Sequence, residues 1–420
     1  MNDWISDRNG TLYAEDVPLT AIAQQFGTPA YVYSRAAIRS AFAEFSQACA
    51  GRRVLVCYAL KANSNLAVID LLAREGAGFD IVSGGELQRV LAAGASPSRV
   101  VFSGVGKSES EMQMALEHGV RCFNVESESE LHRLSRVAQS MGKLAPVSIR
   151  VNPDVDAGTH PYISTGLREN KFGISHEHAV SVYREAATLP GLKIVGIDCH
   201  IGSQITEIAP FVAALDKLAE LVAELASHGI RLAHLDLGGG LGIDYDGEQP
   251  PSRKAMLDAL FARIDADPTL RELEVMFEFG RSIVGNAGLL LTRVEYLKPT
   301  PAKNFAIVDA AMNDLMRPAL YEAFHRIVPV APRAGQPQSY DVVGPVCESG
   351  DWLGRDRLLA IEEGDLLAIL SAGAYGMAMS SNYNTRPRPP EIMVDGDAMH
   401  LIRAREPVES LYDLETRLPG

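Results

Sequence analysis

The stretch Arg53-Val54-Leu55-Val56-Cys57-Tyr58-Ala59-Leu60-Lys61-Ala62-Asn63 is an apolar run that ends in one lysine. A strand buried on both faces reads as continuous Val, Leu and Ala, the mark of a parallel sheet covered on each side. Lys61 then stands where the strand leaves the core. A lysine there either snorkels into water along its stem or serves as an amine nucleophile, since desolvation favours the neutral form that condenses with an aldehyde. This peptide leaves both readings open.

Working outward, seven further strand candidates follow at 79–82, 100–103, 121–125, 147–151, 194–201, 234–237 and 275–279. Helix-like segments at 85–93, 109–118, 127–141, 175–189 and 209–228 alternate with them. Eight alternating units favour a closed (β/α)8 TIM-like barrel over an open doubly wound sheet. Beyond about residue 285 short β-like runs replace the helices, at 293–297, 305–308, 340–343, 366–370 and 391–394. The expected organisation is therefore a (β/α)8 barrel over 29–283. A mostly β domain, a barrel or sandwich, would comprise 1–28 and 284–420. Arg386-Pro387-Arg388-Pro389-Pro390 reads as a short, stiff connection within it.

The chain has 420 residues, 47% of them hydrophobic, and a formal net charge of -14. That balance, without a basic cluster, argues against nucleic acid or an anionic membrane as the partner. A small-molecule ligand is expected. The first residues lack a signal-peptide pattern and no apolar run reaches bilayer length, so the expected location is the cytoplasm. Five cysteines without CxxC spacing indicate neither a disulfide framework nor a metal site. Cys57 and Cys199 fall inside apolar runs and read as core.

A barrel of this kind builds its active site from the loops after the strands' C-terminal ends. Lys61, Asp80 and His200, the glycines Gly238, Gly239 and Gly240, and Glu278 with Arg281 all fall at or near such positions. The glycine run follows a strand, where bare backbone can approach an anion; a simple tight turn is the alternative. His200 precedes Ser203 by three residues, which suits a flat stacking surface beside a phosphate donor, although a lone histidine is more often structural. Glu278-Phe279-Gly280-Arg281 is either a local ion pair or an acid for a heteroaromatic nitrogen with a fork for a carboxylate. In the second domain Arg317 and Tyr321 lie four apart, able to share a helix face, although a surface arginine is the default. Cys347 and Glu348 share a loop with other charges, where a thiol can donate a proton, although a lone cysteine is usually a small core residue. Tyr375 lies in a small-residue turn as a candidate phosphate donor, with a packing tyrosine as the competing view.

Together these residues resemble the pyridoxal 5'-phosphate-dependent decarboxylases of the alanine racemase-like barrel fold. The resemblance runs nearly the whole length, through Tyr58-Ala59-Leu60-Lys61-Ala62-Asn63, His200-Ile201-Gly202-Ser203-Gln204 and Gly238-Gly239-Gly240. Met312-Asn313-Asp314-Leu315-Met316-Arg317-Pro318, Cys347-Glu348-Ser349-Gly350-Asp351 and Ser380-Ser381-Asn382-Tyr383-Asn384 are specific to its diaminopimelate branch. One departure is Phe279, where the family usually has proline.

The resemblance implies that Lys61 carries the cofactor aldimine, His200 stacks on its ring and Glu278 pairs with the ring nitrogen. Ser203, the glycine loop and Tyr375 would hold the phosphate, with Asp80, Gly280 and Arg281 also on the cofactor side. It implies conversion of meso-2,6-diaminopimelate to L-lysine and carbon dioxide through a quinonoid intermediate, the last step of lysine biosynthesis. Arg281, Arg317, Tyr321, Glu348 and Tyr375 would bind the substrate, and Cys347 or Lys61 would return the proton. A homodimer is implied, with Cys347 of the partner subunit completing each site. Sister decarboxylases for ornithine, arginine or carboxynorspermidine, a racemase and a non-catalytic regulatory relative remain as alternatives.

Overall fold

A computed structural model describes residues 3–158, 165–166 and 170–420. The chain forms two compact units, one comprising Met1–Ser40, Asp244–Glu248 and Ile283–Gly420, the other Ala41–Ile243 and Gln249–Ser282.

The second unit is the barrel. Its strands are β1 (Val54–Ala59), β2 (Gly78–Ile81), β3 (Val100–Phe102), β4 (Cys122–Val125), β5 (Ala145–Asn152), β6 (Leu192–Asp198), β7 (His234–Asp236) and β8 (Glu274–Phe279). All neighbours pair in parallel, and the ring closes through β8 against β1, with β4 against β5 continuing it. All eight candidates are thus strands. The expected range 194–201 ends early, at Asp198, so His200 lies two residues beyond β6 rather than at its end. The interior is apolar at one level, where Leu55, Cys57, Val101, Cys122 and Met276 pack together.

Side chains at the helix starts explain the sharp turns into them. Ser83, Ser108 and Ser127 each accept a backbone amide of the helix they precede, and Ser108 with Glu111 forms a reciprocal capping box. Asn65 does the same for Leu66–Arg74, a helix that sequence periodicity did not single out.

In the β unit the strands run in the order Trp352–Leu359, Gln338–Val343, Asn304–Val308, Gly288–Pro299, Ala30–Ser34, Glu391–Asp395 and Ala398–Arg403. Gly288–Pro299 is the spine, since it pairs with Asn304–Val308, Leu366–Ile369 and Ala30–Ser34 along its length. The first expected boundary is corrected by this pairing. Ala30–Ser34 hydrogen-bonds to Gly288–Pro299 and Glu391–Asp395, so the barrel unit begins at Ala41 and not at residue 29. Asp244–Glu248 likewise belongs with the β unit. Leu12–Ala14, expected to join this unit, shares its core with Leu289, Leu370 and Ile392.

Candidate active site

Lys61 lies in a single turn of 3-10 helix, Leu60–Ala62, directly after β1. Tyr58 donates to the Asn63 carbonyl at 2.7 Å and ties the far side of that turn to the strand. The Lys61 Nζ donates to Asp80 Oδ2 at 2.8 Å; the aspartate side chain is fully buried whereas the lysine side chain is 35% exposed. The amine is therefore anchored at its head on a side chain that is only partly buried. Asp80 Oδ1 is buried with no hydrogen-bond partner among the described residues.

His200 accepts the Gly239 amide on Nδ1 at 3.1 Å, which leaves the hydrogen of the neutral ring on Nε2. Burial, followed by the Lys61 and Arg150 charges, holds its pKa well below the ordinary imidazole value, so the ring is flat and uncharged at neutral pH. The adjoining glycine loop has no room for side chains. A Cβ on Gly239 would stand 2.1 Å from the Glu278 carbonyl oxygen, and one on Gly240 2.3 Å from that of Gly202. Arg281, itself buried, donates from a terminal nitrogen to Ser203 Oγ at 3.0 Å. A guanidinium and a hydroxyl are thereby brought together from opposite sides of this loop.

Glu278, in β8, is buried and receives Ser103 Oγ at 3.3 Å and Asn124 Nδ2 at 3.2 Å on Oε1. Burial, and then the neighbouring Asp236, Asp80 and Asp198, push its pKa well above the ordinary carboxylate range. Phe279 faces the other way, stacked on Phe45 at 4.1 Å and on Phe277 at 5.3 Å between centroids. Aromatic packing thus stiffens a turn where the family usually has proline.

The remaining candidates lie in the β unit. Arg317 opens the short helix Arg317–Tyr321 and is buried, not a surface residue; it meets His325 Nε2 at 2.7 Å and stacks over the Tyr245 ring at 4.6 Å. Tyr321 closes the same helix and is half-buried. Cys347 is the only exposed cysteine of the five, and its amide donates to Asn384 Oδ1 at 2.9 Å, joining the two loops that carry the branch-specific motifs. Glu348 is exposed and hydrogen-bonded to Tyr383. Tyr375 is half-buried with φ of 57°, in the left-handed region of the backbone.

Several charged groups around the barrel site escaped the sequence reading. Arg150 donates to Glu126 Oε1 at 3.0 Å, and Glu126 also takes the Gly104 and Gly173 amides, so one acid ties three loops. Asp198 and Asp236 sit at the ends of β6 and β7 beside Glu278. A lone acid inside an apolar strand was the available signal, as in Gly196-Ile197-Asp198-Cys199 and His234-Leu235-Asp236-Leu237.

These groups suit pyridoxal phosphate. An accessible amine, a neutral ring, a hydroxyl and guanidinium beside a bare glycine backbone, and a proton-bearing acid are what its aldehyde, ring, phosphate and nitrogen require.

The model for pyridoxal-dependent decarboxylases, pyridoxal binding domain, matches residues 35–285. The diaminopimelate decarboxylase of Pseudomonas aeruginosa is 59% identical over 417 residues, covering 99% of this chain and 100% of its own, and that of Vibrio cholerae is 58% identical with 98% of each covered. Among solved structures, diaminopimelate decarboxylase from M. jannaschii superposes with a TM-score of 0.95 at 38% identity, covering 100% of this chain and 99% of its own. The Helicobacter pylori enzyme complexed with L-lysine superposes with 0.90 at 43%, covering 94% and 99%. The chain therefore belongs to the pyridoxal-dependent decarboxylases, in the branch of the diaminopimelate decarboxylases.

Proposed function

We propose that this enzyme decarboxylates meso-2,6-diaminopimelate to L-lysine, with Lys61 as the residue that holds pyridoxal phosphate. The observation that carries the reading is the Lys61 amine at the mouth of β1, held at 2.8 Å by Asp80. When bound, the cofactor supplies an aldehyde for the substrate amine and a ring that accepts the electrons left as carbon dioxide departs.

The chain's own residues do the rest. His200 offers the flat uncharged face on which the ring stacks. Glu278 holds a proton for the ring nitrogen. Ser203, Gly238, Gly239, Gly240, Gly280 and Tyr375 bind the phosphate, and Arg281 steadies Ser203 while offering its fork to a carboxylate. Arg317 and Tyr321 take the distal carboxylate of the substrate and Glu348 its distal ammonium. A substrate lacking either group leaves a charged partner unmatched, which is the basis for selectivity. Cys347 or Lys61 returns the proton to the α-carbon.

The exposure of Cys347 and Glu348 supports a homodimer in which this loop completes the neighbouring site. Among the described residues no helix is long and apolar enough to cross a membrane. Cys49, Cys57, Cys122 and Cys199 are buried free thiols, as suits a cytoplasmic protein.

Borohydride reduction of the purified enzyme should label Lys61, and diaminopimelate should release carbon dioxide far faster than ornithine. Labelling elsewhere overturns the role of Lys61; preference for ornithine overturns the specificity.

A further inference from the structure

The barrel interior holds more acids than the proposed reaction assigns a task. Asp198, Asp236 and Glu278 come from the adjacent strands β6, β7 and β8, and oxygens of all three lie within 4.8 Å of one another. Strand register sets this up, because Asp198 pairs opposite Asp236, and Asp236 opposite Met276, two residues before Glu278 on the same face of β8. All three are buried.

Their surroundings do not neutralise them. Asp236 Oδ1 takes the Gly238 amide at 2.9 Å and the Asp236 carboxyl hydrogen-bonds to Glu278, while Asp198 Oδ1 is buried with no partner among the described residues. Two cations face this space. Lys61 is committed to Asp80 at 2.8 Å, and Arg150 lies 3.0 Å from Glu126 and 4.0 Å from Asp198. Around the ring, Ser103, directly after β3, and Asn124 of β4 are neutral and donate to Glu278. The thiols of Cys57 and Cys122, on β1 and β4, are pushed up by burial and bring no charge at neutral pH. His200 is held neutral. Acids thus outnumber cations, and like charges this close in a dry interior cannot all ionise.

We propose that Asp198, Asp236 and Glu278 form a proton store beneath the active site, in which Asp236 is the positioning residue that keeps a proton on Glu278. The inference rests on the proposed pairing of Glu278 with the ring nitrogen, and it supplies the reason that Glu278 has a proton to present there. The direction of titration agrees. Burial first, and then the Asp80 charge, lift Asp236 to about 7 against the pull of the Gly238 amide, Glu278 and Arg150, and Glu278 rises well above its ordinary value.

The test uses infrared spectroscopy of the full-length chain freed of cofactor, following the carbonyl band of protonated carboxylic acids against pH. Wild type should keep such a band above pH 7, and E278Q should lose intensity from it. In D236N one repelling carboxylate is gone, so the midpoint at which Glu278 loses its proton should fall by one pH unit or more, a tenfold loss of proton affinity. The alkaline limb of the holoenzyme's pH profile should move the same way. If D236N does not fold, D198N should displace the midpoint in the same direction by less. Absence of the band at pH 7 in wild type, or an unmoved midpoint in the folded variant, overturns the proposal. Borohydride labelling away from Lys61 would instead overturn the reading of the site while leaving the infrared result standing.

Discussion

Buried carboxyl groups occur in both units and are held in opposite ways. In the β unit they cap backbone. Asp351 accepts the Met312 and Val346 amides, each at 2.7 Å, and Asp314 accepts the Ala311 amide at 2.9 Å. In the barrel Asp198, Asp236 and Glu278 face one another, with Asp236 hydrogen-bonded to Glu278. Burial lifts Asp314 and Asp236 alike to about 7. For Glu278, the acids Asp236, Asp80 and Asp198 reinforce the rise, with Lys61 alone opposing it among the named causes; for Asp351, amides pull back against it. An acid surrounded by amides organises loops, whereas one surrounded by acids retains a proton that chemistry can use.

The comparison can be broken first at the barrel wall. A Cβ on Gly196 would lie 2.0 Å from His234 Nε2, so Gly196→Ala should cost about 3 kcal/mol or more of stability by denaturant titration. An unchanged midpoint would show that the wall yields, and that the acids inside are free to move apart. His234 itself gives the next test. Burial and the Arg121 charge lower its pKa from 6.5 to about 4. The unfolded chain therefore takes up a proton that the folded one refuses. Its share of stability is complete above pH 6.5 and is lost as pH falls toward 4, by about 3 kcal/mol. His234→Gln should flatten that part of the stability profile.

The contrast between units is sharpest in a pair of variants. Asp351→Ala leaves two amides without an acceptor and should cost about 2 kcal/mol. Asp236→Asn should be close to neutral, or stabilising above pH 7, because it removes a repulsion. Equal losses in the two would erase the distinction. The smallest effect is expected for Ser103→Ala, which takes one of two side-chain donors from Glu278. About 1 kcal/mol, a several-fold fall in kcat/KM, is the expected reading.

Much of the barrel was legible locally. Strands buried on both faces carry unbroken apolar runs, and helices announce themselves by period and by a serine or asparagine at the start, so all eight strands emerged with small errors at their ends. Lys61, His200 and the glycine loop were legible for the same reason, since each follows a strand. Arg317 was singled out but its burial was not foreseen: that depends on His325 and Tyr245, and no local pattern joins residues 245, 317 and 325.

Sequence alone determined the alternation of elements, the lysine at the first strand end and the family to which these motifs are similar. Periodicity and composition act over a few residues, so a linear reading reaches them. Tertiary structure alone decided that Ala30–Ser34 joins the β sheet and that three acids distant in sequence share one space. Strand pairing and barrel closure set those distances, and the charge a group carries depends on what closure brings beside it.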